Sequence, residues 1–185
     1  MSCVKGIGQD IINDCAQPPI AGLERVIFIG PRAGISATKS ATNKNLFSLI
    51  TFATLYKVTG YNKSTNAGFD LVVSDTEPNR YTQFLSMVFW GVDADTVKAL
   101  NDLNDIVVVV ENVNKGVNGN GNGTFEVYGY DTGLFKTSFT KRSNDNGGTF
   151  VMELGSREGQ APTRSHYVLH NIDYATTYGA LESQT

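Results

Sequence analysis

Apolar and polar residues alternate through much of 124–155, and a period of two turns successive side chains to opposite faces of a sheet. Phe125, Val127 and Gly129 stand against Glu126 and Tyr128, and Phe135, Thr137 and Phe139 against Lys136, Ser138 and Thr140. Phe150, Met152 and Leu154 mark a third run. Asp131-Thr132-Gly133 and the Asn- and Gly-rich 143–148 separate these runs with residues that tolerate the positive φ of tight connections. The pattern predicts a three-strand antiparallel meander over 124–155.

Elsewhere the apolar runs are more continuous. Val26, Ile27, Phe28 and Ile29 within 24–30, and Ile106 followed by four valines over 107–110, read as strands buried on both faces. Further strands are predicted at 69–74 and 166–172. A long one spans 80–91, RYTQFLSMVFWG, whose apolar second half belongs inside a sheet or at an interface. Residues 46–61 fit a helical stripe loosely but are rich in strand formers, so their second half is assigned to strand. Helical spacing is clearest in 92–105. There Asp93 is placed to cap, Asp95 sits where the dipole favours an anion, and Val97, Leu100 and Leu103 form a narrow stripe. Val92 is positioned to staple against Val97.

Residues 32–45 and 113–123 read as loops, and the tail 173–185 is left between helix and irregular chain. The first 19 residues mix Gly, Asn and Asp with Val4, Ile7, Ile11 and Ile12, and Pro18-Pro19 forces an extended exit. Residues 1–22 are therefore read as an N-terminal arm and 23–185 as the domain. The expected fold is mainly β (α+β): an antiparallel β-sandwich or partly closed barrel of roughly eight strands with one flanking α-helix.

Composition narrows the function classes. Charged residues make up 18% of the 185 positions, against roughly 25% in typical soluble proteins, so the surface is polar more than charged. A net charge of −3 gives no general attraction for phosphate backbones; Lys136, Lys141 and Arg142 form only a local basic cluster. Cys3 and Cys15 have no CxxC partner or nearby His, and are expected as free thiols. No apolar run approaches the ~20 residues that span a bilayer, and 1–19 lacks the features of a signal peptide, so synthesis in the cytoplasm is expected. The N-x-[ST] matches at Asn62 and Asn122 then carry no weight.

Candidate chemistry is sparse. His166 and His170, four apart on a predicted strand, would stand about 13 Å apart, too far to share a metal. The Gly119–Gly123 run lacks the Lys-Ser/Thr of a phosphate loop. Asp70, Asp75 and Glu77 straddle a strand end without pairing as acid and base. Phe89, Trp90, Tyr128 and Tyr130 could form an aromatic platform, although aromatics in β domains are more often core. No catalytic, cofactor-binding or metal-ligating residue is assigned, and no cofactor is expected. By contrast, the strand at 80–91, the apolar arm and the loops suit ordered self-assembly, since an uncovered sheet edge invites pairing.

The order of elements, the helix near 93–105, the VVVVE strand, the Gly-rich loop and the strings FEVYGYDTGL and GGTFVMELGSREG resemble the tail-tube-like virion proteins of tailed bacteriophages, including tail-terminator and ring or connector proteins. The resemblance implies a β-sandwich or barrel flanked by one helix. It also implies self-association into a ring, a hexamer or a dodecamer, that contacts other tail or neck proteins in the virion and passes DNA as non-specific cargo. It carries no catalytic residue and no membrane partner. The alternative is a non-enzymatic β-sandwich module that binds a glycan or a protein through an exposed aromatic platform.

Overall fold

Val107, Val108, Val109 and Val110 are completely buried, which an alternating strand achieves only when both of its faces are covered. Their strand, β7 (Ile106–Asn112), sends Ile106, Val108 and Val110 into one core and Val107 and Val109 into another. In a computed structural model that describes residues 22–61, 64–90, 93–116, 119–144 and 148–185, β7 lies within a seven-stranded sheet. The order is β2 (Ser36–Lys39), β3 (Leu46–Thr51), β11 (Tyr167–Leu169), β8 (Phe125–Tyr128), β7, β1 (Leu23–Pro31) and β4 (Tyr56–Thr59). Pairing is antiparallel except between β3 and β11. A second, four-stranded antiparallel sheet runs β5 (Asn66–Val72), β6 (Arg80–Phe89), β10 (Phe150–Gly155), β9 (Phe135–Lys141).

The two sheets pack through Ile27, Ile29, Leu85, Met87, Val108 and Met152. Helix α1 (Ala94–Asp102) adds Leu100 to this core, with Val97 and Leu103 packed against it. On the other face of the large sheet, Phe28, Phe47, Phe125 and Val127 gather under helix α2 (Tyr174–Glu182), which contributes Leu181 with Tyr174 and Tyr178 beside it. The architecture is the expected mainly β, sandwich-like α+β fold, made of two open sheets and no closed barrel.

Several expectations change in detail. The run 124–155 is not one meander: β8 joins the large sheet, between β7 and β11, while β9 and β10 belong to the small one. The chain changes sheets at Gly129, whose φ is +79° and where a Cβ would lie 2.5 Å from the Ile106 carbonyl oxygen. Alternation is local and is blind to this crossing. Both halves of 46–61 are strand, and 32–45 contains β2. The tail forms α2 as a second helix, capped by Asp173, whose carboxylate accepts from the Thr176 N–H at 2.7 Å. Asp93 caps α1 as expected, accepting from the Thr96 N–H at 2.8 Å. The arm to residue 21, with Cys3 and Cys15, and Val92 of the staple lie outside the described residues.

Candidate interaction surfaces

The strand predicted at 80–91, β6, is covered on both edges, by β5 and by β10. Its alternation is fully used: Gln83, Leu85, Met87 and Phe89 are buried. The uncovered edge belongs instead to β5. Among the described residues no strand pairs with its outer side, its seven-residue register with β6 has no bulge, and Phe69, Leu71, Val72 and Val73 around it are exposed, Val73 to 67%. The sequence signal was the FDLVV run itself, in which an apolar residue on either face leaves no solvated side. At the opposite edge, β9 has a register shift against β10. Its lysines are turned to use: Lys136 Nζ donates to the Leu100 and Asn101 carbonyls at 2.8 and 2.9 Å, closing the C-terminal end of α1, and Lys141 lies over the Phe150 ring. The basic cluster read from the sequence is thus largely structural.

The outer face of the small sheet is set by its register. Asn66, Gly68 and Asp70 pair with Ser86, Phe84 and Thr82, and Val151 and Glu153 pair with Val88 and Ser86 on one side and with Thr140 and Ser138 on the other. These positions carry two carboxylates and no cation. A groove of about 700 Å³ opens elsewhere, between α1 and β4. Ile29, Val58, Phe89, Leu100 and Ile106 line it, and Lys57, Lys98, Asp95 and Asp102 stand among its lining residues.

Comparison with protein-family models, with curated proteins and with solved structures finds no match.

The remaining candidates are dispersed. His166 and His170 flank β11. The His166 ring lies between Phe69 and Tyr128, at 5.4 and 5.8 Å between centroids, and the His170 N–H donates to the Phe47 carbonyl. Both Nδ1 atoms are buried without a partner. Glu77 holds Arg80 at 3.2 Å, while Asp70 and Asp75 are exposed. The Gly-rich loop is tied down: the Gly121 N–H donates to the Lys115 carbonyl at 2.7 Å, and Gly121 lies so close to Tyr174 that a Cβ would meet its Cα at 2.7 Å. Among the described residues no three His, Cys, Asp or Glu side chains converge as a metal site.

The four aromatics do not form one platform. Phe89 and Tyr128 are core, and Tyr130 packs against Phe47 and Tyr167. Trp90, 65% exposed, stacks instead on Tyr61 at 4.5 Å. Three other tyrosines are fastened to carboxylates. Burial first, then Glu126, pushes the Tyr128 hydroxyl up; burial, then Glu111, does so for Tyr174; burial, then Asp131, pushes Tyr167 up to about 12. Hydroxyls held protonated in this way are donors within the fold, suited to fastening elements and not to proton transfer near neutrality.

Proposed function

We propose that this chain is a structural subunit that joins copies of itself edge to edge into a ring, as a tail-tube-like virion protein of a tailed bacteriophage does, and performs no covalent chemistry. The observation that carries this reading is the bare, regular, apolar edge of β5 on a sheet with an even number of strands. In a four-stranded antiparallel sheet the two outer strands run in opposite directions, so β5 of one copy laid beside β9 of the next continues the antiparallel pattern. Such a head-to-tail contact closes into a ring when its rotation angle permits. The bulge at β9 adds twist at the joint. With the outer face of the small sheet towards the channel, Asp70 and Glu153 would discourage any grip on DNA passing through it. The sequence resemblance points the same way. Localisation in the virion follows from this reading; for the described residues, no helix is long and apolar enough to cross a membrane.

The test is light scattering with negative-stain microscopy over a range of concentrations, on the full chain and on Leu71→Lys. Leu71 is half exposed, so the variant keeps its fold. Rings from the wild type and none from the variant are expected. Rings that survive the substitution would move the contact away from β5. The stacked, exposed Tyr61–Trp90 pair supports a second reading, a glycan-binding module. A monomer at every concentration that retains a glycan on an array, and loses it in Trp90→Ala, would replace the ring with that reading.

A further inference from the structure

Two residues other than glycine have positive φ, Asp105 at +49° and Ile172 at +56°. The first has a local explanation. Asp tolerates this region, and both Asp105 carboxylate oxygens accept from Arg32, at 2.7 and 3.0 Å. Ile172 has none. It is β-branched, which makes a left-handed conformation a genuine outlier, and it sits at the centre of a three-residue turn closed by the Asp173 N–H donating to the Asn171 carbonyl at 2.5 Å. Its side chain is 82% exposed. The ordinary role for an apolar residue just before a helix cap is to staple against the fourth helical position. Here that position is Thr177, whose buried hydroxyl is already bonded to Asn171.

The turn and the groove between α1 and β4 lie at opposite ends of the large sheet. The groove is lined by Pro31 and Ile106, a register pair at one end of β1 and β7. Ile172 follows β11, whose Leu169 pairs with Phe125, itself opposite Glu111 near the far end of β7. The strand between these points places them roughly 20 Å apart. One copy therefore cannot seat its own turn in its own groove, but successive copies can do so in series.

We propose that Ile172 is an inter-subunit knob, and that its socket is the groove between α1 and β4 on a second copy, stacked along the strands of the large sheet. This rests on the ring reading and gives the ring its stacking contact, distinct from the lateral edges of the small sheet. The groove suits an uncharged insert: its floor is apolar, and Lys57 and Lys98 balance Asp95 and Asp102 around it. It is larger than one side chain, so the whole turn 171–173 enters with Ile172 deepest. The contact buries far less than the roughly 1,000 Å² of a lasting pair. It holds only when every copy in a ring makes it at once.

The experiment compares wild type, Ile172→Asn and Ale-free controls of the socket in the form of Ala99→Tyr, by electron microscopy and sedimentation velocity. Ala99 is an exposed groove residue of α1. Asn accepts positive φ, so Ile172→Asn is expected to melt no lower than wild type, while the concentration needed for stacking rises at least about tenfold. Each variant alone gives single rings. Mixed rings of the two variants stop at pairs, because one supplies the only knob and the other the only socket. Stacks of wild-type length from Ile172→Asn overturn the proposal, as does a mixture that forms no pairs. Stacking lost in Ala99→Tyr but kept in Ile172→Asn means that another segment, such as residues 1–21, fills the groove, and also overturns it. If the wild type forms no ring, the ring reading falls separately; weak self-association at high concentration that Ile172→Asn abolishes then still supports the knob, and its absence or persistence overturns it.

Discussion

Gln83 shows how one buried polar side chain can fix the relation between two sheets. It lies on the inner face of β6 at 3% exposure, where an apolar residue would satisfy the alternation. Its Oε1 accepts from the Gly129 N–H at 2.7 Å, at the point where the chain leaves β8, and its Nε2 donates to the Ser165 carbonyl at 2.6 Å, just before β11. Gln83→Leu would preserve volume but leave a buried N–H and a buried C=O unpaired. The expected cost is about 2–4 kcal/mol, at 1–3 kcal/mol for each unsatisfied group, read as a lower denaturant midpoint with an unchanged slope. A shift below about 0.5 kcal/mol would mean that water or a rearranged turn serves these groups.

The elements are held together by tyrosine–carboxylate bonds, and these set an alkaline limit. Tyr167 of β11 donates to Asp131 at 2.9 Å, Tyr174 of α2 to Glu111 of β7 at 2.8 Å, and Tyr128 to Glu126 within β8. In each case the folded state raises the hydroxyl above its ordinary value. The fold therefore favours the protonated form. Its contribution is complete below the unfolded value near 10 and is lost as pH rises through the folded one, which for Tyr167 is about 12. Stability should be flat up to about pH 9 and then fall, and absorbance at 295 nm should show these tyrosines ionising only as the protein unfolds. Full ionisation at pH 10.5 in a protein that stays folded would contradict this. Much of the element pattern was legible in the sequence because burial on both faces leaves unbroken apolar runs, as at Val107–Val110, and because Asp93 precedes a helical stripe. Helix α2 was harder to read: Tyr174, Tyr178 and Leu181 have helical spacing, but Thr176, Thr177 and Gly179 are weak helix formers, and the helix is held by packing on Phe28 and Phe125. Sheet membership was not legible, since the crossing at Gly129 depends on the distant Ile106 carbonyl. For the same reason, the exposed edge was sought at 80–91 and lies at β5.

At the scale of the whole molecule, the surfaces left for partners are apolar or balanced in charge. Leu71, Val72 and Val73 on the edge of β5 and Ile172 on its turn are exposed hydrocarbon, and the charges around the groove cancel. Assembly built on these residues should be driven by the release of water from apolar surface, a force that weakens on cooling and strengthens with sulfate. Charge pairing would behave differently, since exposed ion pairs are screened once the Debye length shrinks from about 10 Å at 0.1 M salt to about 3 Å at 1 M. The expected outcome is that assemblies formed at about 25 °C dissociate on cooling to about 4 °C, while raising sodium chloride to about 0.5 M leaves them intact and ammonium sulfate promotes them. Sedimentation velocity at fixed protein concentration reads all three. Dissolution by sodium chloride with no effect of temperature would transfer the contact to charged surfaces, and would count against both the β5 edge and the Ile172 knob.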